Sequence, residues 1–197
     1  MTDAAPVTLT LAEELPLLGI AAWSGTGKTT LLERLLPRLR ERGLRVAVIK
    51  HAHHGFDVDQ PGKDSHRLRQ AGAAPMLVAS RSRLALMMET PDQAEADLEA
   101  LVAMVAPQRP DLVLVEGFKA WPLPKLELYR PALGKSLRAT EDPWVRAVAS
   151  DEPLALPAGV EALDLNDLDA LIDWIAAWPA RWPDERRARR AGEGVSP

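Results

Sequence analysis

Short apolar runs alternate along the chain with segments in which leucine recurs every three or four residues, a pattern that predicts strands and helices in succession. Residues 15–22 form the first apolar run and read as a strand. Behind it, Leu31, Leu32, Leu35, Leu36 and Leu39 mark one face of a helix. Gly43 stops that helix, and residues 44–49 read as a second strand ending at Lys50 and His51, which completes a βαβ unit. The stretch from His51 to Lys63 is polar and carries Gly55, Pro61 and Gly62; Asp64 or Ser65 then caps a short helix through Leu68 that ends near Gly72. Two apolar runs, 75–79 and 84–88, flank Ser80-Arg81-Ser82-Arg83 and predict a hairpin or a bend between adjacent strands. Thr90-Pro91-Asp92 is read as opening a helix that runs to about Val105, with proline in its first turn.

The second half begins with a continuously apolar segment, 111–117, of the kind found in central parallel strands covered on both faces. Residues 125–129 alternate in polarity and are read as an edge strand, and 145–149 is a late apolar strand ending at Ser150-Asp151. Residues 168–178 form an amphipathic helix on which Trp174 and Trp178 stand one turn apart, as packing residues would. The expected fold is α/β, with a mostly parallel central sheet and helices on both faces in three layers. A single domain over 15–180 is expected, preceded by an extension over 1–14. The Arg-rich stretch 181–197 is read as a disordered tail.

Composition narrows the function. A chain of 197 residues with 47% hydrophobic residues can bury one substantial core. A formal net charge of −4 lacks the basic footprint of a nucleic-acid binder, so anionic ligands must be caught by placed groups. The absence of cysteine excludes disulfides and thiolate-held metals. No apolar run approaches the roughly 18 residues of a membrane span. Asp3, Glu13 and Glu14 precede the first apolar run without any Lys or Arg, the wrong order for a secretory leader. A soluble, cytoplasmic protein is expected.

The segment Ala22-Trp23-Ser24-Gly25-Thr26-Gly27-Lys28-Thr29-Thr30 sits between the first strand and the first helix and has the form of a phosphate-binding loop. There, small residues let backbone N–H groups converge on a phosphate, the Lys28 ammonium reaches the outer phosphates and the Thr29 hydroxyl can ligate Mg²⁺. Ala22 stands where the first glycine of the pattern belongs, and its methyl would resist a positive φ. Glu116 follows four apolar residues and precedes Gly117, as the acid of a Walker B strand does; at a strand's carboxyl end it can hold a water on the Mg²⁺. His51, His53 and His54, with Asp57 and Asp59 downstream, can equally hold a divalent transition metal or donate to an anion. Lys63 and Arg67 are four residues apart and can face one anionic group or simply solvent. Asp151 can accept from N1–H and the exocyclic amine of guanine, a donor pair that adenine lacks, although no complete Asn-Lys-x-Asp signature is present.

Four blocks together resemble the MobB family of molybdopterin-guanine dinucleotide biosynthesis accessory proteins: the loop at 22–30, Ile-Lys-His-Ala-His-His at 49–54, Asp-Val-Asp-Gln-Pro-Gly-Lys-Asp-Ser at 57–65, and Leu-Val-Glu-Gly-Phe-Lys at 114–119. The resemblance spans about residues 15–178 and includes Ala22 as it stands. It implies a P-loop GTP-binding fold with weak GTP hydrolysis, commonly homodimeric, acting beside the MobA-like guanylyltransferase that joins GMP to the molybdopterin cofactor. On this resemblance Ser24, Gly25, Thr26, Gly27, Lys28, Thr29 and Thr30 hold GTP phosphates and Mg²⁺, Glu116 is the Mg²⁺-side acid, and the 51–67 region helps recognise a pterin or nucleotide phosphate. A small-molecule kinase using Arg67 and Arg69 as lid arginines, a metallochaperone GTPase using the histidine loop, and a non-enzymatic adaptor whose nucleotide only sets conformation are the competing classes.

Overall fold

The computed structural model describes residues 14–193 apart from 53, 54, 92 and 94, so all but the last residue of the expected N-terminal extension, and residues 194–197, lie outside the described residues. In chain order the elements are β1 (Leu17–Ala22), α1 (Lys28–Glu41), β2 (Val46–Lys50), α2 (Asp64–Gln70), β3 (Met76–Ala79), β4 (Leu84–Met87), α3 (Leu98–Val105), β5 (Leu112–Glu116), β6 (Lys125–Tyr129), β7 (Val145–Ser150), β8 (Glu161–Asp164), α4 (Leu168–Ala176) and α5 (Trp178–Glu193).

Residues 14–51 and 97–193 form the main compact unit. Its six strands pair in the order β2-β5-β1-β6-β7-β8, all parallel. The chain leaves β1 toward one edge of the sheet and later fills the other side with β6, β7 and β8. The loop after β1 therefore stands at the reversal of strand order, where open α/β sheets bind ligands. One face of the sheet, through Leu18, Ile20, Leu112, Leu114, Leu126 and Leu128, packs on the leucine stripe of α1 and on Leu171, Ile172 and Ile175 of α4. Alternate residues such as Leu17, Val113 and Val115 are buried on the opposite face, as the two-residue period of a strand requires, and α3 lies beside β2. Trp174 and Trp178 join the core with ring centroids 5.2 Å apart, and the Trp178 indole N–H donates to the Leu17 carbonyl at 2.9 Å.

Three expectations are corrected. The alternating strand 125–129 is β6, in the middle of the sheet between β1 and β7, because its polar side chains are buried and individually paired. Lys125 Nζ lies 3.1 Å from Asp142 Oδ2 and donates to the Trp121 carbonyl at 2.8 Å. Glu127 accepts the backbone N–H groups of Arg138 and Ala139, both at 2.8 Å. The helix expected from Pro91 begins at Leu98, where the Asp97 carboxylate caps it by accepting from the N–H groups of Glu99 and Ala100. The Arg-rich segment expected to be disordered is helical through Glu193. Its first turns are anchored by buried Trp182 and by pairs that Glu185 makes with Arg146 and Arg181 makes with Glu161. The short strand β8 was not anticipated; its four residues carry only one large apolar side chain.

Residues 52–96 form a second compact unit. It contains α2 and the antiparallel hairpin β3–β4 at the two apolar runs around Ser80-Arg81-Ser82-Arg83. Arg69 ties it together internally, pairing with Asp57 at 2.7 Å, Glu89 at 3.0 Å and Asp59 at 3.3 Å.

Candidate functional site

Within the main unit the chain leaves β1 at Ala22 and enters α1 at Lys28, and the turn between them is closed by its own backbone. The Thr26 N–H and hydroxyl both donate to the Trp23 carbonyl, at 3.3 and 2.7 Å, and Thr26 is buried. Gly27 caps α1 at φ 93°, a left-handed conformation that a side chain would strain, and Gly25 has φ 86°. Ala22, in contrast, belongs to β1 and has no positive φ, which is why its methyl is tolerated there. Ser24, Gly25, Thr29 and Thr30 are exposed around the loop, and the first turn of α1 contains no acidic residue. Free N–H groups at a helix start without a competing carboxylate form an anion site. The Trp23 indole N–H donates to the Ser136 carbonyl at 2.9 Å, and the ammonium groups of Lys119 and Lys135 lie 5.6 and 5.9 Å from its ring centroid.

Parallel registers set Glu116 opposite Ile20 on one side and Lys50 on the other. Glu116 Oε1 lies 2.8 Å from Lys28 Nζ and 3.3 Å from Lys50 Nζ. Burial alone would push the Glu116 carboxyl up, but hydrogen bonding and charge from the two lysines outweigh it and hold the carboxyl below the usual range. The two sequence motifs thus meet at one ion pair. Among the described residues, Lys50 is a site residue that no P-loop motif specifies; only the pairing of β2 with β5 brings it there.

Gly117 turns the chain immediately after Glu116, with φ 105°. A Cβ there would stand 2.5 Å from the Cβ of His51, and the His51 ring stacks on Phe118 at a centroid separation of 4.9 Å. Gly117→Ala is therefore expected to cost about 2–4 kcal/mol from backbone strain and overpacking together. Thermal unfolding beside the unmodified protein checks this, and an unchanged Tm would contradict it.

At the ends of the next two strands, Arg130 Nη1 donates to Asp151 Oδ2 at 2.5 Å and Arg130 Nε donates to the Thr26 carbonyl at 3.0 Å. Asp151 thus connects to the phosphate loop through one arginine. Arg130 carries no motif, and its role is visible only once β6 and β7 are adjacent. The remaining candidates fall elsewhere. Lys63 and Arg67 are exposed in the second unit, and Arg69, considered above as a lid arginine, is engaged by three carboxylates. His53 and His54 lie outside the described residues, and among those described no cluster of three or more His, Asp or Glu side chains is disposed to hold a metal. No helix among the described residues is long and apolar enough to cross a membrane.

Comparison with known proteins gives the same assignment as the motifs. Residues 17–151 match the family model for molybdopterin guanine dinucleotide synthesis protein B, MobB. The chain is 52% identical over 165 residues to the molybdopterin-guanine dinucleotide biosynthesis adapter protein of Escherichia coli K12, covering 83% of this chain and 93% of that protein. It is 44% identical over 165 residues to the adapter protein of the same name from Haemophilus influenzae, covering 84% and 90%. Among solved structures, a molybdopterin-guanine biosynthesis protein B superposes with a TM-score of 0.66 at 28% identity, covering 83% of this chain and 99% of that one. Bacillus subtilis MobB gives the same TM-score at 26% identity, with 83% and 98% covered. With its P-loop, its Walker-type glutamate and five of the six strands of its central sheet inside the matched span, the chain belongs to the MobB family.

Proposed function

We propose that this protein is a GTP-binding adapter in molybdopterin-guanine dinucleotide biosynthesis, one that hydrolyses GTP slowly and works beside a MobA-like guanylyltransferase. The observation that carries the reading is the Lys28–Glu116 pair at 2.8 Å, at the point of the sheet where strand order reverses. A loop lysine held by a strand-end carboxylate exchanges that partner for phosphate when nucleotide arrives. The Glu116 carboxylate would then be free to help hold Mg²⁺.

The donor set suits Mg²⁺. Thr29 and Glu116 offer a hydroxyl and a carboxylate, hard oxygens of the kind that Mg²⁺ takes alongside waters and phosphate oxygens. Bound there, the ion would neutralise charge on the phosphates. Lys28 and the loop N–H groups orient the nucleotide, and Asp151 reads its base. Guanine is favoured over adenine because the opening beside Asp151 also carries Glu152 and Asp164, and guanine's edge offers adjacent donors to such acceptors.

A homodimer is part of the proposal. Within the second unit, Leu77, Leu84, Leu86 and Met88 of the hairpin region are 49–65% exposed, and the register sets Leu77 opposite Leu86, an apolar surface suited to burial against a second copy. Sedimentation should return twice the chain mass, and a strict monomer would remove this part.

The adapter role is tested by co-purification with the guanylyltransferase, with and without GTP. Association or stimulation of cofactor guanylylation is expected, and the absence of both would contradict the role. Glu116→Gln should leave GTP binding nearly intact while slowing Mg²⁺-dependent hydrolysis about tenfold or more, since the amide keeps the shape and loses the charge. Unchanged turnover would reduce Glu116 to a strand-end residue.

A further inference from the structure

Arg130 joins two features that the motifs leave separate. Its Nε donates to the carbonyl of Thr26, inside the phosphate loop, and its Nη1 donates to Oδ2 of Asp151, just beyond β7. The guanidinium fork is rigid and planar, so these two bonds fix the carboxylate relative to the loop. The other Asp151 oxygen, Oδ1, is buried and accepts no hydrogen bond. A buried acceptor without a donor is unfavourable until a ligand or a rearrangement supplies one. Beside it, Ser150, Asp151, Glu152, Leu154 and Asp164 line an opening of about 280 Å³, comparable in volume to the smaller ligand pockets.

We propose that Arg130 is the positioning residue for base recognition: it holds Asp151 at a fixed distance from the phosphate loop, so that base and phosphates are read as one rigid ligand. The inference rests on the GTP reading above and adds to it the residue that makes selectivity depend on geometry. Arg130 need not touch the nucleotide. Guanine presents N1–H and the exocyclic amine side by side, and a carboxylate can accept both only if it is correctly aimed. An arginine that served only to brace the loop through Thr26 would instead affect every phosphate-bearing ligand equally.

Calorimetric titration of the full chain with GTP, ATP and inorganic tripolyphosphate separates these roles, using the unmodified protein, Arg130→Met, Arg130→Lys, Asp151→Asn and the Arg130→Met/Asp151→Asn pair. Arg130→Met is expected to weaken GTP about tenfold, the size of one charge-assisted hydrogen bond, while ATP and tripolyphosphate stay within about twofold. Arg130→Lys, which keeps a charge near Asp151 but lacks the two-pronged fork, should fall between; if Arg130→Met does not fold, this variant decides by the same ratio. The double variant should lose no more GTP affinity than Asp151→Asn alone, since both changes remove one unit. Equal losses for all three ligands, or a GTP preference that survives both Arg130 variants, would overturn the inference while leaving the guanine reading in place. Equal GTP and ATP affinities in the unmodified protein would overturn the guanine reading and the inference with it.

Discussion

Lys28→Ala should weaken GTP binding on the order of 100-fold while leaving the fold intact, because a lysine–phosphate contact is a charge-assisted bond to a multiply charged ligand. The variant should fold because Lys28 is partly exposed and contributes nothing to the leucine core. Glu116 keeps a partner as well, since Lys50 Nζ lies 3.3 Å from the same oxygen. Calorimetry with GTP, beside a thermal melt, separates the two effects. Unchanged affinity in a folded variant would remove the phosphate-loop assignment, whereas a collapsed melt would mean that the Lys28–Glu116 pair is structural.

The largest stability effect is expected at Asp142, far from any motif. Lys125 is 3% exposed on β6, and burial pushes its ammonium below the ordinary value of 10.5, against the opposing pull of Asp142. Asp142→Asn removes that counter-charge and leaves a buried cation facing an amide, a change expected to cost about 3–5 kcal/mol at neutral pH. The pH dependence has a definite sign. With its folded pKa depressed, Lys125 binds fewer protons in the folded protein than in the unfolded chain, so stability rises with pH through the window below 10.5. The deficit of the variant should therefore shrink as alkaline pH is approached. Adding Lys125→Met should restore much of the loss, because the apolar stem is kept and the uncompensated charge is gone. Denaturant unfolding of the single and double variants at two pH values checks all three statements; a single variant as stable as the unmodified protein would contradict the first.

The residues legible in sequence are those whose constraints are local. Gly25, Gly27 and Lys28 are dictated by the phosphate loop itself, the leucine stripe of α1 by helical spacing, and Glu116 by its place at the end of an apolar run. Most of the misreadings involve partners distant in sequence. Alternation in Lys125-Leu126-Glu127-Leu128-Tyr129 ordinarily means one wet face, yet Asp142 and the N–H groups of residues 138 and 139 keep that face buried. Pro91 resembled a helix opener, but the side-chain cap sits six residues later, at Asp97. The stretch after Trp182 looked solvated, but Glu185 pairs with Arg146 of β7 and Arg181, just before it, pairs with Glu161 of β8, so the first turns of α5 are ordered. Asp151 was a weak candidate because a Ser-Asp dipeptide is common; what singles it out is Arg130, which becomes its neighbour only when β6 pairs with β7. Lys50 enters the site for the same reason, through the pairing of β2 with β5.

Titrating the unmodified chain with GTP and with ATP, each with Mg²⁺, in the same calorimeter decides whether this family member is a guanine-nucleotide binder. One site per chain is predicted, with GTP preferred about tenfold or more, the difference expected when a base-reading carboxylate finds its donor pair in one nucleotide and not in the other. No binding of either nucleotide, or equal affinity for both, would show that the protein is not a guanine-nucleotide binder.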